Sequence, residues 1–318
     1  MIHCHRSLTL LAATLASAAT GFAQEKLAPG VSVQRFIPIA ADAPRTKAEL
    51  KLPKGVTAHE DVVYGTGGGI DLKLDLYLPE GDGPHPTVVV VHGGGWTGGT
   101  KEAFRSFAQQ FVTRGFVTAS VEYRLATVAK FPGAVEDCKA AVRWLRANAA
   151  QYKIDPARIG GVGASAGGHL IGMLATTADP AQFEGSGGNA DQSSALQAAV
   201  LMGAGVDQAT RAQESVKPIQ SQLIFFGGTY AEKKDLYLAG SPITHVSEKT
   251  PPLLFIEGEF DTPGERYIGM RKKLDALHVP NRLVVIQAGK HGCWGSNPWM
   301  IPMVDEIADF LKIHLAPK

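Results

Sequence analysis

Cysteine is scarce in this chain, which has three among its 318 residues. Cys4 falls in an N-terminal segment that we predict to be removed, so only Cys138 and Cys293 remain. Two cysteines cannot form a disulfide framework, and their separation does not match the spacing of a zinc site. A small fold held together by disulfides or metal is therefore excluded. Whether the two cysteines pair stays open, because the distance between their α-carbons decides it.

An excess of charge of either sign is also lacking. The chain has 31 Lys and Arg residues against 30 Asp and Glu residues, which gives a formal net charge of +1. Such a balance provides no field that would attract nucleic acid or an anionic membrane. We therefore expect no nucleic-acid partner and predict that the ligands are small molecules or neutral oligosaccharides.

Long apolar runs are absent except at the N-terminus. Arg6 precedes an apolar run from Leu8 to Ala19, and small residues lead to a cleavage site after Ala23. This pattern predicts a signal peptide over residues 1–23. The run is too short for a good membrane span, and the alternative is a helical N-terminal arm. We expect no membrane span and a protein that is secreted or periplasmic after removal of residues 1–23.

Residues 24–58 show no sustained period and are interpreted as an extended lead-in, followed by one catalytic domain over residues 59–318. Alternating residues around Gly67-Gly68-Gly69 predict an antiparallel hairpin at the N-terminal sheet edge. Continuous apolar runs typical of buried parallel strands follow at Thr87–Val91, Val117–Val121, Ile159–Val162, Ala198–Met202, Leu253–Ile256 and Leu283–Ile286. Helical patterns separate these runs near 101–114, 133–151, 166–178, 264–278 and 298–314. The predicted fold class is α/β, with a doubly wound, mostly parallel sheet and an antiparallel N-terminal edge hairpin.

Ligands of such sheets bind beyond the carboxyl ends of the strands, so functional residues are expected just after strands. The segments 179–195 and 205–250 are longer than ordinary connections. We interpret 205–250 as a rim or lid segment over the site.

A nucleophile is predicted at Ser165, in the segment Gly163-Ala164-Ser165-Ala166-Gly167. This segment matches G-x-S-x-G and lies between a predicted strand and a predicted helix, where a sharp turn exposes the serine hydroxyl. Glycine two positions before and two after gives the turn the room it needs. The alternative is a glycine-rich tight turn with an incidental serine.

A glycine-rich segment, His92-Gly93-Gly94-Gly95-Trp96, follows the first predicted parallel strand. Backbone amides free of side chains at this place suit an oxyanion hole, because they stabilise the charge that develops on a carbonyl oxygen during acyl transfer. We predict the donors to be the amides of Gly94, Gly95 and Ala166. A structural turn is the alternative, since the segment does not complete a phosphate-binding loop.

The catalytic base is predicted to be His291, which follows the last strand and precedes the final helix. The order serine, acid, histidine is the one expected for a serine placed on this type of strand-to-helix turn. His245, in the rim segment, is a weaker candidate. His92 is expected to hold the glycine loop by hydrogen bonds, and His169 is expected to point away from the nucleophile.

The acid that orients the base is predicted to be Asp261, in the turn after the strand Leu253–Ile256. Glu257 and Glu259 are closer to the strand and remain alternatives. Asp207 is the second choice, although a solvated loop position explains it better.

Three tryptophans border these motifs and are candidate substrate-binding residues: Trp96, Trp294 and Trp299. Their flat apolar faces suit an aryl group or a sugar ring. Packing in the core is the competing explanation for each of them.

Taken together, the chain resembles the α/β-hydrolase superfamily over about residues 60–315. Within it, the chain looks like bacterial esterases related to acetyl esterase and hormone-sensitive lipase, and most like secreted acetylxylan and feruloyl esterase-like proteins. The motifs that carry the resemblance are His92-Gly-Gly-Gly-Trp96, Phe131-Pro132-Gly133-Ala134, Arg143-Trp144-Leu145, Gly163-Ala-Ser-Ala-Gly-Gly-His169, Ser241-Pro242, Asp261 and His291. Residues 24–58 depart from the helical cap of lipase-like relatives, which argues against long buried acyl chains.

The resemblance implies a secreted carboxylic ester hydrolase that works by double displacement through Ser165, His291 and Asp261. Short acyl or aryl esters, including acetylated or feruloylated carbohydrates, are the expected substrates. No metal and no organic cofactor are expected. The alternatives are a serine exopeptidase or amidase of the same fold, and a hydrolase-like binding module without activity.

Overall fold

The structure is a computed structural model that describes residues 30–47, 52–179 and 181–317. The predicted signal peptide, residues 1–23, lies outside the described residues, as do parts of the predicted lead-in. Cleavage after Ala23 and export from the cytoplasm therefore stay predictions.

A nine-stranded sheet forms the centre of the molecule, with the strand order β1-β10-β9-β8-β7-β5-β6-β4-β3. Its strands are β1 (Arg35–Ile37), β3 (Thr57–Gly67), β4 (Ile70–Leu78), β5 (His85–Val91), β6 (Val117–Val121), β7 (Ile154–Ala164), β8 (Ala198–Met202), β9 (Leu253–Gly258) and β10 (Asn281–Ile286). A separate antiparallel pair joins β2 (Thr46–Lys47) to β11 (Ser296–Asn297). Among the strand pairs that the structure describes in the large sheet, β3·β4 and β4·β6 are antiparallel and the others are parallel. The predicted fold class is confirmed.

The predicted edge hairpin is confirmed as β3 and β4, which Gly68 and Gly69 connect. Bulges interrupt the β3 register between His59 and Val62 and again between Val63 and Gly65. Bulges increase local twist and discourage edge-to-edge pairing with other chains. β3 is accordingly suited to its place at the outer edge of the sheet.

The interpretation of residues 24–58 as a simple lead-in missed two pairings. β1 adds a parallel ninth strand at the far edge of the sheet, where Arg35 lies opposite Val284 and Ile37 opposite Ile286 of β10. β2 then pairs with β11 next to the last helix. A three-residue strand provides too short an alternation to be recognised in sequence, because its pairing rather than its pattern defines it.

Eight α-helices are found in the described parts of the chain. Five of them correspond to the predicted helical patterns: α1 (Arg105–Val112), α2 (Gly133–Ala147), α3 (Ala166–Thr176), α7 (Ile268–Ala276) and α8 (Met300–His314). The predicted rim segment 205–250 contributes the other three: α4 (Gln208–Glu214), α5 (Gln220–Phe226) and α6 (Tyr230–Ala239). Thr229 and Glu232 form a capping box that begins α6.

Apolar side chains are buried on both faces of the sheet, which explains the continuous apolar runs of the parallel strands. Neighbouring residues of β5 point to opposite layers, because side chains alternate along a strand. Val89 and Val91 pack in the layer of α2 and α3. Val88 and Val90 pack in the layer of α1 and α8.

The open question of the two cysteines is settled within the described residues. Cys138 lies in α2 and Cys293 lies after β10, and both are buried free thiols. Burial raises the pKa of Cys293 to about 12, so this thiol stays protonated and behaves as a small apolar side chain.

Candidate active site

Ser165 lies at the sharp turn between the end of β7 and the start of α3. Its backbone has φ 54° and ψ −117°, a conformation that is unfavourable for a residue with a side chain. A Cβ on Gly163 would overlap the carbonyl oxygen of Gly167, and a Cβ on Gly167 would overlap that of Val91. Glycine is therefore required at both positions of the motif. The amide of Ser165 donates to the carbonyl of Met202 at 2.7 Å, which fixes the turn against β8.

The three residues predicted as nucleophile, base and acid come together at the carboxyl ends of the strands. His291 Nε2 lies 3.0 Å from Ser165 Oγ, and His291 Nδ1 lies 2.7 Å from Asp261 Oδ2. With Nδ1 donating to Asp261, Nε2 is left to accept the proton of the serine hydroxyl. These are the contacts by which a base activates a serine nucleophile and an acid orients the base.

The surroundings of Asp261 favour its ionised form. Burial opposes ionisation, but the hydrogen bond from His291 and the charge of Arg266 outweigh it and hold the pKa of Asp261 below its usual value. Arg266 donates to Asp261 Oδ1 at 2.8 Å and to the carbonyl of Gly203 at 3.0 Å. Sequence reasoning missed Arg266, because it begins no motif and becomes significant only through this contact.

The alternative acids have other partners. Glu257 accepts from the amide of Gly264 at 2.5 Å and lies 2.6 Å from Arg266, so it lies behind Asp261 in the same network. Burial raises the pKa of Glu257 to about 8 despite the neighbouring guanidinium. Glu259 accepts from the amide of Ala288, and Asp207 caps the start of α4.

The other histidines near the site have structural contacts. His92 is buried, its Nδ1 lies 2.8 Å from the carbonyl of Gly93, and its ring stacks on Tyr123 with centroids 4.4 Å apart. Burial lowers the pKa of His92, so the ring is neutral and holds the glycine loop as expected. His169 accepts from Trp96 and donates to the carbonyl of Gly240, and burial lowers its pKa to about 4. His245 bonds to the backbone of the rim segment.

The glycine loop, residues 93–95 after β5, lies next to Ser165. Gly94 has φ 121°, and a Cβ there would overlap the carbonyl oxygen of Gly98. Within the described residues, the amides of Gly94, Gly95 and Ala166 donate to no protein acceptor. Gly95 and Ala166 line a small pocket with Ser165, and Gly94 lines the neighbouring cleft. The three predicted oxyanion donors are thus available to a ligand.

Gly94→Ala is expected to lower kcat for an ester by about 10²- to 10³-fold, the loss typical of a missing oxyanion donor. The added methyl group forces the loop to move, and an alanine tolerates the positive φ poorly. The matched control is Gly69→Ala in the edge hairpin, where φ is 80° and no atom lies within 4 Å of the added carbon. Steady-state kinetics on one ester and melting curves of both variants test this expected loss of kcat. An unchanged kcat in a folded Gly94→Ala protein would remove Gly94 from the oxyanion hole.

The three candidate tryptophans have different positions. Trp96 lines the small pocket beside Ser165 and stacks on Phe225 with centroids 4.6 Å apart. Trp294 lines the cleft on the other side of Ser165 and meets His291 edge-on at 5.0 Å. Trp299 does not line either space, so its prediction as a substrate-binding residue is wrong in this structure. Its indole donates to the carbonyl of Gln287, and its ring packs in the layer of α8 beneath Arg45.

Two spaces flank Ser165. A cleft of about 520 Å³ includes Phe104, Trp294 and the glycine loop in its lining. On the other side, a pocket of about 80 Å³ shares Gly205, Arg211 and Arg266 with a cavity of about 530 Å³. Ser165 therefore borders both a cleft lined by Phe104 and Trp294 and a pocket lined by two arginines.

Two negative findings apply to the described ranges, 30–47, 52–179 and 181–317. No cluster of three or more His, Cys, Asp or Glu side chains there has an arrangement that could hold a metal ion. None of the helices in these ranges combines the length and the apolar character needed to cross a membrane.

Comparisons with known proteins identify the family of this chain. A family model described as BD-FAE matches residues 74–263, which contain Ser165 and Asp261. Esterase LipQ of Mycobacterium tuberculosis is 30% identical over 235 residues, which cover 70% of this chain and 55% of LipQ. The chain spans about half the length of the curated relatives it matches.

Two solved structures share the fold over most of their length. A truncated form of a carbohydrate esterase from gut microbiota has a TM-score of 0.73 and 26% identity, with 82% of this chain and 97% of that chain covered. The native thermophilic esterase Est2 of Thermogutta terrifontis has a TM-score of 0.66 and 26% identity, with 83% and 95% covered. The family match extends over more than half of the sequence and includes the sharp turn at Ser165. This chain therefore belongs to the BD-FAE family, and it shares the α/β fold of the solved esterases.

Proposed function

We propose that this protein is a carboxylic ester hydrolase with Ser165 as nucleophile, His291 as base and Asp261 as the orienting acid. The observation that carries the proposal is the chain of two contacts, 3.0 Å from Ser165 to His291 and 2.7 Å from His291 to Asp261. The names of the relatives, esterases in each case described above, support the same reaction class.

The reaction proceeds in two displacements. Ser165 Oγ attacks the ester carbonyl carbon while His291 Nε2 takes the hydroxyl proton, and the amides of Gly94, Gly95 and Ala166 stabilise the oxyanion. The carbon–oxygen bond to the alcohol then breaks, and His291 gives its proton to the departing alcohol. Water attacks the acyl-serine with His291 again as base, which releases the acid and restores the serine hydroxyl.

We propose short acyl and aryl esters as substrates, with acetylated or feruloylated carbohydrates as the natural candidates. The aromatic cleft supports aryl or sugar groups, because Phe104 and Trp294 present flat apolar surfaces beside the nucleophile. One relative is a carbohydrate esterase, and structures of Est2 have propionate or butyrate bound. The smaller pocket, about 80 Å³, supports a short chain on the other side.

Initial rates on p-nitrophenyl acetate, butyrate and octanoate test the proposed chain length. We expect kcat/KM to fall steeply between butyrate and octanoate, because the small pocket leaves little apolar surface for a longer chain. Methyl ferulate and acetylated xylan are then compared with p-nitroanilides of matched acyl groups. Equal or faster cleavage of the anilides would favour an amidase, and a preference for octanoate would contradict the short-chain proposal.

A further inference from the structure

One side of the pocket beside Ser165 has a cationic group that forms no direct ion pair with the described residues. Arg211 extends from α4 into the space shared by the 80 Å³ pocket and the 530 Å³ cavity. Its guanidinium forms no hydrogen bond and no ion pair with any residue that the structure describes. Partial burial, together with the charge of Arg266, lowers the pKa of Arg211, although solvent still reaches the side chain. The charge of Asp261 acts in the opposite direction but does not outweigh these two effects, so no neighbouring carboxylate fully compensates the charge of Arg211.

The neighbouring Arg266 differs from Arg211 in this respect. It contacts Asp261 at 2.8 Å, Glu257 at 2.6 Å and the carbonyl of Gly203 at 3.0 Å. The N–H groups of Arg266 donate to these protein oxygens behind His291, so they are not available to a ligand. Of the two arginines that line the pocket, Arg211 is the one available to a ligand.

A second free donor lines the same pocket. Ser221, in α5, is half-buried, and its hydroxyl has no hydrogen-bond partner within the described part of the chain. Arg211 and Ser221 belong to two different helices of the rim segment and line one pocket together with Ser165. A guanidinium and a hydroxyl that both lack acceptors suit a carboxylate, whose two oxygens accept several hydrogen bonds.

The geometry points to a carboxylate subsite formed by Arg211 and Ser221 beside the ester site. The inference rests on the proposed ester hydrolysis and narrows its substrate class to esters that carry one carboxylate. Two kinds of ester carry such a carboxylate. In a hemi-ester of a dicarboxylic acid the carboxylate is on the acyl group, and in an ester formed by a hydroxyl group of a sugar acid or aromatic acid it is on the alcohol.

The outer part of the cavity limits the number of negative charges in the substrate. Asp207, Glu214 and Glu265 line the 530 Å³ cavity together with Arg211. Asp207 accepts from the amide and hydroxyl of Thr210, whereas Glu214 and Glu265 have no ion-pair partner among the described residues. These carboxylates repel further negative charge, so the rest of the substrate is uncharged.

Two pairs of esters of equal shape test the inference. For the acyl side, p-nitrophenyl hemisuccinate is compared with p-nitrophenyl 4-methylpentanoate, in which an isopropyl group replaces the carboxylate. For the alcohol side, 4-acetoxybenzoate is compared with 4-acetoxybenzamide. The measurement is the ratio of kcat/KM for the charged ester to that for the neutral one. It is made for the wild type and for Arg211→Gln, Arg211→Lys, Ser221→Ala and Lys217→Gln.

In one of the two pairs, the wild type is expected to prefer the charged ester. Arg211→Gln is expected to lower this preference about tenfold, because it raises KM for the charged ester. Arg211→Lys should retain part of the preference, because it keeps the charge but not the forked geometry. Ser221→Ala should lower it less. Lys217→Gln removes another exposed cation of the rim segment, one that lines neither the pocket nor the cavity, and the ratio should not change. The responding pair identifies the source of the carboxylate.

Calorimetric titration of Ser165→Ala with the preferred charged ester provides a readout independent of turnover. Binding should weaken about tenfold when Arg211→Gln is added. Ratios that are the same in the wild type and Arg211→Gln for both ester pairs would overturn the carboxylate subsite, while turnover of the neutral esters would leave ester hydrolysis intact. Failure of the wild type to hydrolyse any of the four esters would overturn both. Melting curves of the variants exclude loss of folding as the cause.

Discussion

Ser165→Ala is expected to reduce kcat for p-nitrophenyl acetate on the order of 10⁶-fold, the loss typical when a serine nucleophile of this kind is removed. The substitution removes the atom that attacks the carbonyl carbon and leaves His291 without the hydroxyl 3.0 Å from its Nε2. KM should change little, because the pocket and the backbone amides of the glycine loop remain. The residual rate should still exceed that in water, because those amides continue to stabilise the oxyanion.

Folding of this variant is expected to be preserved. Alanine is no larger than serine, and the unfavourable turn is maintained by Gly163, Gly167 and the hydrogen bond from the amide at position 165 to Met202. The matched control is Ser186→Ala, an exposed serine in the long connection before β8, which should have the wild-type kcat. Activity that persists in folded Ser165→Ala would show that another residue is the nucleophile and would reject the proposed mechanism.

Asp261→Asn is expected to lower kcat about 10⁴-fold. An asparagine amide that donates to His291 Nδ1 stabilises the tautomer with the proton on Nε2, which cannot accept the proton of Ser165. The substitution also removes the charge that stabilises the imidazolium during the reaction and the 2.8 Å contact with Arg266. Because its pKa is lowered, Asp261 is ionised throughout the neutral pH range. The wild-type carboxylate therefore accepts from His291 Nδ1 and leaves Nε2 free to take the proton of Ser165.

The control for this substitution is Glu259→Gln, one of the alternative acids after β9. Its side-chain oxygen can still accept from the amide of Ala288, so we expect kcat near that of the wild type. Steady-state kinetics on one short ester, together with melting temperatures, compare the two variants directly. A large loss in Glu259→Gln and a small loss in Asp261→Asn would exchange the roles of the two acids.

Loss of the Asp261 charge also has a consequence for stability. The folded-state pKa of Asp261 is lowered, so its ionic contacts stabilise the fold above the ordinary pKa of an aspartate. That contribution is lost as the pH falls through the folded-state pKa. The contacts with His291 and Arg266 therefore favour the folded enzyme at neutral pH but not in strong acid.

Much of the sheet was predictable because its signals are local. The strands β6 and β8 have the bounds that their apolar runs predict, Val117–Val121 and Ala198–Met202. A run of this kind identifies a strand buried on both faces without reference to its neighbours. β1 was missed for the opposite reason, since three residues become a strand only by pairing with β10.

The same distinction applies to the site. Ser165 could be identified from five consecutive residues, because the turn itself requires glycine on both sides. His291 and Asp261 could be ranked only by their order and by their positions after strands. Trp299 was assigned to the site by proximity in sequence, but its side chain packs in the layer of α8. Arg211, Ser221 and Arg266 have no sequence signal. Arg211 and Ser221 are brought together only because both line one pocket with Ser165, and Arg266 is recognised only by its contacts with Asp261 and Gly203.

By itself, the sequence determined the fold class. It also predicted the features of the site that depend on neighbouring residues: the serine at the sharp turn, the glycine loop and the order of serine, acid and histidine. Only the tertiary structure decided which side chains meet. The serine and the histidine are 126 residues apart in the chain, and their 3.0 Å contact depends on the packing of the strands that carry them. The same packing connects Arg266 to the carbonyl of Gly203 and leaves the Arg211 side chain without a partner among the described residues. Local backbone preferences specify turns and strands, whereas burial and charge pairing between distant segments specify the chemistry of the site.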